Sequence, residues 1–257
     1  IIKAALAKKA DAIHPGYGFL SENPEFAEAC SQAGIRFIGP KPEVMRQLGN
    51  KVMARKVAMV ACVPVIPATA ALPECIEDCQ LLAAEVGYPR ILKASWGGGG
   101  RGMRVVEHEK ELEDAITVAR REAKSAFGND EVYLEKLIRH ARHVEVQILG
   151  DTHSNIVHLY ERDCTVRRRN QKVVERAPAP YLSEAQRNKI CEAALRLARA
   201  VNYTHAGTVE FLMDAETENF YFIEVNPRIS VQHTVTEAIT GIVIVKAQIR
   251  VTEGAAI

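Results

Sequence analysis

The chain has 257 residues, which is enough for one large domain or two small ones. Its formal net charge of +1 gives no bulk electrostatic reason to bind nucleic acid or a membrane, and we expect neither as a partner. With 47% hydrophobic and 25% charged residues, the composition is that of an ordinary globular protein. No apolar run approaches the ~20 residues that a membrane-spanning helix needs.

The first predicted elements form a strand, a helix and a second strand. Residues 12–14 and 35–38 are predicted as short buried strands. The helix between them begins with Asn23 as its cap and Pro24 in its first turn, and Gly34 ends it. This order predicts part of an open α/β domain.

A small α+β unit is predicted between residues 65 and 137. A helix over about residues 51–60 and a proline-rich extended segment lead into it. The unit contains predicted helices over 73–86 and 110–126 and ends with a strand over 132–137. Because extended segments tether it at both ends, we interpret it as a mobile lid.

A glycine-rich run from Lys93 to Met103 lies between two β-friendly segments of this unit. Glycine lets backbone N–H groups approach a phosphate, and Lys93 adds a positive charge beside them. Gly97, Gly99 and Gly102 satisfy G-x-G-x-x-G, but a strand follows instead of the helix that a dinucleotide site needs. No Gly-Lys-Ser/Thr closes the run, so it is not a P-loop. We favour a flap over phosphates, and the alternative is a surface hairpin.

Two further strands, over residues 144–149 and 155–160, are predicted to pair as a hairpin. The basic stretch 162–172 that follows is either a solvated loop or an ordered segment, and the strands around it exclude a disordered tail. Ser183 and Gln186 then form a capping box that begins a long amphipathic helix.

A pair of carboxylates is predicted on the next hairpin, which joins strands over 208–213 and 220–225. If the turn closes symmetrically, Leu212 faces Phe222 and Glu210 faces Glu224. Like charges directly opposite each other destabilise a hairpin unless a cation lies between them. Asn226 on the same face offers a third oxygen, and an all-oxygen ligand set favours Mg²⁺ shared with nucleotide phosphates.

These residues closely resemble those of the biotin carboxylase domain of biotin-dependent carboxylases, which has an ATP-grasp fold. The matching stretches cover almost the whole chain: His14-Pro15-Gly16-Tyr17-Gly18, Gly49-Asn50-Lys51, the glycine-rich run, Arg142-His143-Val144-Glu145, Glu161-Arg162-Asp163-Cys164, Gln171-Lys172-Val173-Val174 and Glu224-Val225-Asn226-Pro227-Arg228. Within the family, the chain looks most like the bacterial pyruvate carboxylases.

The resemblance implies a role for each candidate site residue. The implied ATP-binding residues are Lys51, Lys93, Gly99, Gly100, Glu135, Lys136, Leu137, Ile138, His143, Asn170, Glu210 and Glu224. The implied metal ligands are Glu210, Glu224 and Asn226. The implied bicarbonate-binding residues are Lys172, Arg228 and the backbone of Val231, and Arg228, Lys172 and Gln232 occupy the catalytic positions.

Three positions depart from the family pattern. Where the family has glutamine and glutamate after Arg228, this chain has Ser230 and Gln232. The family glutamate is the proposed base for bicarbonate, and an amide cannot accept that proton. Arg167 replaces a family glutamine and adds a charge near the nucleotide. We therefore expect ATP binding to persist and the chemical step to be slow.

The resemblance predicts an α/β and α+β architecture: a partial N-terminal open α/β subdomain over residues 1–49 and an ATP-grasp domain over 50–257. The lid spans about 65–137 within that domain, and the C-terminal part of the domain is truncated. Because the first residue is Ile rather than Met, we expect the chain to begin inside a longer protein. No signal peptide is visible, and we expect a cytoplasmic protein, or a mitochondrial matrix protein in a eukaryote.

The implied activity is ATP-dependent carboxylation of biotin by bicarbonate through carboxyphosphate. It needs ATP, Mg²⁺ or Mn²⁺, and biotin carried on a separate biotinylated domain, in a full-length enzyme that we expect to be a homo-oligomer. Two other hypotheses remain: a nucleotide-binding remnant that no longer carboxylates, and another ATP-grasp ligase acting on a different carboxylate. Lys172 and Arg228, in their family contexts, argue against the last of these.

Overall fold

A computed structural model describes residues 1–96, 103–168 and 171–257. Its N-terminal elements are α1 (Ile2–Ala7), β1 (Ala12–Ile13), α2 (Pro24–Gln32) and β2 (Arg36–Phe37). The two strands pair in parallel, with α2 as the crossover that parallel strands need. The predicted strand–helix–strand order is therefore confirmed. The Asn23 side chain accepts a hydrogen bond from the backbone N–H of Phe26 at 2.6 Å, as predicted for the cap of α2.

Two consecutive helices place Lys51 beside Ser95, which precedes the glycines. The first, α3 (Pro42–Gly49), has no counterpart among the predicted elements, whereas α4 (Lys51–Val60) is confirmed. Asn50 caps α4 by accepting a hydrogen bond from the backbone N–H of Met53 at 2.9 Å. The backbone N–H of Lys51 donates to the carbonyl oxygen of Ser95 at 3.0 Å, which fixes the start of α4 next to the residues that precede the glycines.

The unit predicted as a lid forms its own antiparallel sheet and its own core. Its elements are α5 (Ile76–Val86), β3 (Arg90–Ala94), β4 (Arg104–Val106), α6 (Leu112–Phe127) and β5 (Val132–Lys136). Both β4 and β5 pair with β3, so the strands predicted on either side of the glycine-rich run are confirmed. Residues 97–102 of the run lie outside the described residues. Leu92, Leu112 and Leu134 are fully buried in a hydrophobic cluster confined to this unit.

Arg90 is an unusual member of this core, and its removal provides a stability prediction. Its side chain is fully buried over the Tyr88 ring at 3.4 Å, and none of its guanidinium nitrogens has an acceptor among the described residues. Burial accordingly lowers the pKa of Arg90. Because a buried unpaired charge costs more than its stacking returns, we expect Arg90→Met to raise the free energy of unfolding by about 1–3 kcal/mol.

Chemical denaturation of the two proteins measures this difference. Arg104→Met on β4 is the matched control, because Arg104 is half-exposed and already pairs with Glu122. The control should change stability by less than about 1 kcal/mol. A loss of stability in Arg90→Met comparable to that of an ordinary core truncation would show that Arg90 is well paired in the folded protein.

The larger sheet has five antiparallel strands in the order β10-β9-β6-β7-β8. The strands are β6 (Ala141–Gly150), β7 (Ile156–Arg168), β8 (Gln171–Arg176), β9 (His205–Asp214) and β10 (Phe220–Asn226). The helices of this half are α7 (Glu184–Ala200), α8 (His233–Thr240) and α9 (Ile244–Thr252). The capping box of α7 is present as predicted, and Ile190, Ala194 and Leu197 on its apolar face are fully buried. None of the described helices is long and apolar enough to span a bilayer.

The predicted end of β7 is wrong. The hairpin of β6 and β7 is confirmed, but β7 continues to Arg168 instead of ending near residue 160. Much of the basic stretch is therefore strand and not loop. The reason is burial with partners: Arg162 is fully buried and donates to Glu145 at 2.7 Å, Gln147 at 3.0 Å and Thr236 at 2.6 Å.

The hairpin of β9 and β10 contains a bulge that the symmetric prediction lacks. Glu224 lies directly opposite Glu210, as predicted, but Leu212 faces Tyr221 instead of Phe222. The register shifts at Ile223, which is an extra residue in β10. Phe222 consequently points into the core, while Glu224 points to the opposite face together with Glu210.

A strained histidine at the start of β9 predicts acid sensitivity. His205 has a φ of 65°, is 6% exposed, and contacts the Thr252 hydroxyl at 3.0 Å. Burial lowers its pKa from 6.5 to about 4, with a contribution from His14. Between these values the unfolded chain binds a proton and the folded chain does not, so stability is lost as the pH falls. We expect this residue to contribute a loss of up to about 3 kcal/mol by pH 4.

The measurement is the free energy of unfolding between pH 8 and pH 4 for the wild type and for His205→Asn, because asparagine tolerates a positive φ. The two curves should run parallel above pH 7 and converge or cross below pH 6.5, since the variant lacks the titrating group. Curves that remain parallel down to pH 4 would contradict a lowered pKa at His205.

Candidate functional site

A cavity of about 400 Å³ lies between the three-stranded sheet β4-β3-β5 and the five-stranded sheet. The three-stranded sheet provides Lys93 and Glu135 from β3 and β5, and α4 provides Lys51. The opposite wall carries Glu210 and Glu224 from the bulged hairpin. Its apolar lining is formed by Ile66, Ile91, Met103, Tyr133, Leu137, Ile138, Ala141, Leu212 and Ile223. An apolar wall beside several cations suits a flat base joined to phosphates.

Most of the residues predicted to bind ATP line this cavity together. They are Lys51, Lys93, Glu135, Lys136, Leu137, Ile138, His143, Glu210 and Glu224, and Lys172 joins them. Gly99, Gly100 and Asn170 lie outside the described residues. Among the polar lining residues, Arg139 has no counterpart in the predicted set, and Arg167 was singled out only as a departure from the family pattern.

The two facing carboxylates are held by lysines from different elements. Lys51 Nζ lies 3.3 Å from Glu224 Oε2, and Lys172 Nζ lies 2.7 Å from Glu210 Oε1. Burial raises the pKa of Glu210, and Lys172 only partly offsets this effect. Burial alone would raise the pKa of Glu224 as well, but Lys51, Lys93 and Lys172 together outweigh burial and lower that pKa. The two adjacent carboxylates therefore differ in pKa, which is raised for Glu210 and lowered for Glu224.

Lys172 is positioned by a buried ion-pair network. Its ammonium group contacts both Glu145 and Glu210, and Glu145 is held in turn by the buried Arg162. Burial alone would lower the pKa of Lys172, but Glu210 and Glu145 outweigh burial and raise it. Lys172 is therefore a fixed positive charge at neutral pH and cannot serve as a base.

His143 is a neutral group in the same cavity. Burial and the nearby Arg167, Lys172 and Lys93 lower its pKa from 6.5 to about 4. Its Nδ1 atom has no hydrogen-bond partner among the described residues. His143 can therefore offer a neutral ring nitrogen to a hydroxyl group of a ligand.

Of the residues predicted to bind bicarbonate, Lys172 lines this cavity, whereas Arg228 and Val231 lie outside its lining. Arg228 Nε is 2.7 Å from Glu22 Oε1, and Arg228 Nη2 donates to Asn226 Oδ1 at 3.3 Å. Glu22 was not predicted, and no local signal links it to a residue so distant in sequence. Glu22 and Asn226 line a second cavity of about 590 Å³, which shares Lys51 and Glu224 with the first. The second cavity therefore adjoins the carboxylate pair at Glu224.

The other two predicted residues of this region follow Arg228. Val231 is exposed, and Gln232 is half-buried immediately before α8. Ser230 is buried and its hydroxyl donates to Gln232 Oε1. The side-chain amide oxygen of Gln232 thus already accepts a hydrogen bond within its own loop.

The donor set of the carboxylate pair fits a hard divalent cation. Two carboxylates lie directly opposite each other, and Asn226 adjoins them through a hydrogen bond from its Nδ2 to Glu210 Oε1 at 3.0 Å. No cluster of three or more His, Cys, Asp or Glu side chains suited to a metal occurs in the described part of the chain. A cation at this pair would therefore complete its coordination with water and phosphate oxygens, as Mg²⁺ commonly does.

Comparison with known families identifies this arrangement. Residues 50–257 match the carbamoyl-phosphate synthase L chain, ATP binding domain, and residues 1–45 match the biotin carboxylase, N-terminal domain. The chain belongs to the biotin carboxylase family, and its mixed α/β architecture is that of the ATP-grasp fold. This confirms the family and fold that the sequence resemblance implied.

Individual relatives agree with this assignment. The chain is 56% identical to pyruvate carboxylase of Bacillus subtilis over 254 residues, which are 99% of this chain but 22% of that protein. It matches the biotin carboxylase-beta-gamma-ATP complex from Campylobacter jejuni with a TM-score of 0.96 and 50% identity, covering 100% of this chain and 57% of that one. For the biotin carboxylase domain of Hydrogenobacter thermophilus 2-oxoglutarate carboxylase, a dimer in complex with MgADP, ADP and bicarbonate, the TM-score is 0.95 at 46% identity, covering 100% and 56%.

Proposed function

We propose that this chain is the part of a biotin-dependent carboxylase that carboxylates biotin with bicarbonate and ATP. The observation that carries the proposal is the cavity in which the Glu210–Glu224 pair faces Lys51, Lys93 and Lys172. Its apolar wall suits adenine, and the lysines suit the phosphates. The chain spans about a fifth of the length of its pyruvate carboxylase relatives, so the acceptor pyruvate is proposed only from that similarity.

In the proposed reaction, a bicarbonate oxygen attacks the γ-phosphorus of ATP, and the bond to the β-phosphate oxygen breaks to release ADP. The resulting carboxyphosphate decomposes to CO₂ and phosphate, the phosphate accepts the N1 proton of biotin, and N1 forms its new bond to the carbon of CO₂. Lys172 and Arg228 stabilise the anionic reactants, because Lys172 contacts Glu210 of the carboxylate pair and Arg228 contacts Asn226, which adjoins that pair. The lid excludes water, which would otherwise hydrolyse carboxyphosphate.

The cofactors and partners complete this proposal. Mg²⁺ or Mn²⁺ would be held by Glu210, Glu224 and Asn226, where it would neutralise charge on the phosphates. Biotin would arrive on a separate carrier domain, and the full-length enzyme would be a homo-oligomer. The dimer with MgADP and bicarbonate described for the Hydrogenobacter thermophilus relative supports both the ligands and an oligomer.

A second candidate function is nucleotide binding without carboxylation, which Ser230 and Gln232 favour. The test is ATP cleavage by the intact protein that carries this chain, with and without bicarbonate, together with transfer of labelled bicarbonate to biotin. Cleavage that requires bicarbonate supports carboxylation. Tight ATP binding without such cleavage supports the second candidate, and the absence of ATP binding contradicts both.

A further inference from the structure

Arg167 lies in the nucleotide cavity with a donor that no described residue satisfies. It is near the end of β7, directly opposite Lys172 of β8. Its Nε atom donates to the carbonyl oxygen of Cys164 at 3.1 Å, which anchors the guanidinium group. Its Nη2 atom is buried and has no hydrogen-bond acceptor among the residues that the structure describes. Glu210 Oε2 lies 3.5 Å from Nη2, which is ion-pair range without a hydrogen bond.

Three lysines of the cavity contact carboxylates more closely than Arg167 does. Lys93 and Lys172 donate hydrogen bonds to carboxylates, and Lys51 forms an ion pair with Glu224. A guanidinium group is ionised at all relevant pH values, and its planar fork fits phosphate oxygens. Arg167 therefore adds a permanent positive charge and a donor without an acceptor among the described residues to a cavity in which Lys51, Lys93 and Lys172 already contact carboxylates.

The same geometry places Arg167 in competition with a metal ion. Glu210 Oε1 accepts hydrogen bonds from Lys172 and Asn226, so Oε2 is the oxygen that remains for another cation. Arg167 lies beside that oxygen. A divalent ion at Glu210 must share this oxygen with the guanidinium group and is repelled by its charge.

We propose that Arg167 is a resident cation of the nucleotide site: it donates from Nη2 to the polyphosphate of the nucleotide and shares Glu210 with the divalent ion. This inference rests on the proposed function, because it needs a nucleotide in this cavity. It has two consequences. The protein retains nucleotide affinity when divalent ions are chelated, and added Mg²⁺ increases that affinity less than it does when residue 167 is uncharged.

The experiment is calorimetric titration of ADP and adenosine into the intact protein that carries this chain, in EDTA and in Mg²⁺. The proteins are the wild type, Arg167→Gln, Arg167→Lys, and Arg168→Gln as the matched control, since Arg168 carries the same charge on the adjacent, exposed position. Loss of a charge-assisted hydrogen bond should weaken ADP binding in EDTA by about 10- to 100-fold in Arg167→Gln. Arg167→Lys should recover part of this loss, and Arg168→Gln should match the wild type.

The two ligands and two metal conditions separate the outcomes. Adenosine should bind Arg167→Gln and the wild type equally, and the gain in ADP affinity on adding Mg²⁺ should be larger in Arg167→Gln. Equal ADP affinity of the two proteins in EDTA, or an equal loss for adenosine and ADP, would overturn this inference alone. Failure of the wild type to bind ADP in either condition would contradict the proposed function, and this inference with it. Thermal unfolding of each variant establishes that the fold is intact.

Discussion

Glu224→Gln is expected to remove most of the effect of Mg²⁺ on nucleotide binding. The substitution keeps the shape of the side chain but takes one of two facing carboxylates from the pair. Loss of a group that merely supports a metal ligand already costs about 10- to 100-fold in metal affinity, so loss of a ligand should cost at least ~100-fold. Binding of ADP without Mg²⁺ should be retained or improved, because Lys51 loses the carboxylate that lies 3.3 Å away and becomes available to phosphate.

Calorimetry of ADP binding over a range of Mg²⁺ concentrations measures both effects. Glu216→Ala is the control, because this glutamate lies in the turn of the same hairpin and is exposed beside His140. The control should keep the Mg²⁺ dependence of the wild type. An unchanged Mg²⁺ dependence in Glu224→Gln would show that the metal binds elsewhere, whatever the nucleotide affinity.

Restoring the family residues as Ser230→Gln with Gln232→Glu is expected to raise bicarbonate-dependent ATP cleavage by about 10²–10⁴-fold, the usual worth of a general base. In the wild type, the buried Ser230 hydroxyl donates to Gln232 Oε1, so the amide oxygen is engaged and has no basicity at neutral pH. The double variant supplies a carboxylate at the same position. ADP affinity should change little, because neither residue lines the nucleotide cavity.

Single variants make this test sharper. Ser230→Gln alone adds no base and should leave the rate near that of the wild type, whereas Gln232→Glu alone should give most of the gain. Turnover is compared with and without bicarbonate, so that uncoupled hydrolysis is subtracted. Equal bicarbonate-dependent turnover in the wild type and the double variant would mean that another group, such as a bound phosphate, accepts the proton.

The local signals in the sequence predicted those parts of the fold that depend on neighbouring residues. The caps at Asn23 and Ser183 depend on hydrogen bonds within one helical turn, and both were predicted correctly. The pairing of Glu210 with Glu224 was also predicted correctly, although the turn is not symmetric as the prediction assumed. The bulge at Ile223 supplies the same register by another route.

Features that depend on distant partners were not predicted. The strand β7 runs through a charged stretch because Arg162 is satisfied by residues of β6 and α8. A hydrophobicity pattern cannot reveal such compensation, so the stretch resembled a loop. The contact between Glu22 and Arg228 joins residues that are far apart in sequence, and Arg90 occupies a core position where periodicity predicts an apolar side chain.

The extra residue in β10 allows two consecutive side chains of this strand to face the same cavity. A regular strand presents only every second side chain to one face, yet the consecutive residues Ile223 and Glu224 both line the nucleotide cavity. One strand thus supplies a hydrocarbon surface and a carboxylate oxygen side by side. Deleting Ile223 would leave Glu224 opposite Glu210 and Phe222 opposite Phe211, because the remaining pairs already fit an unbroken ladder. Deleting Ile223 would therefore remove the apolar contact with the cavity and keep the carboxylate of Glu224. Substituting either residue would instead change the size or the charge of a side chain that remains.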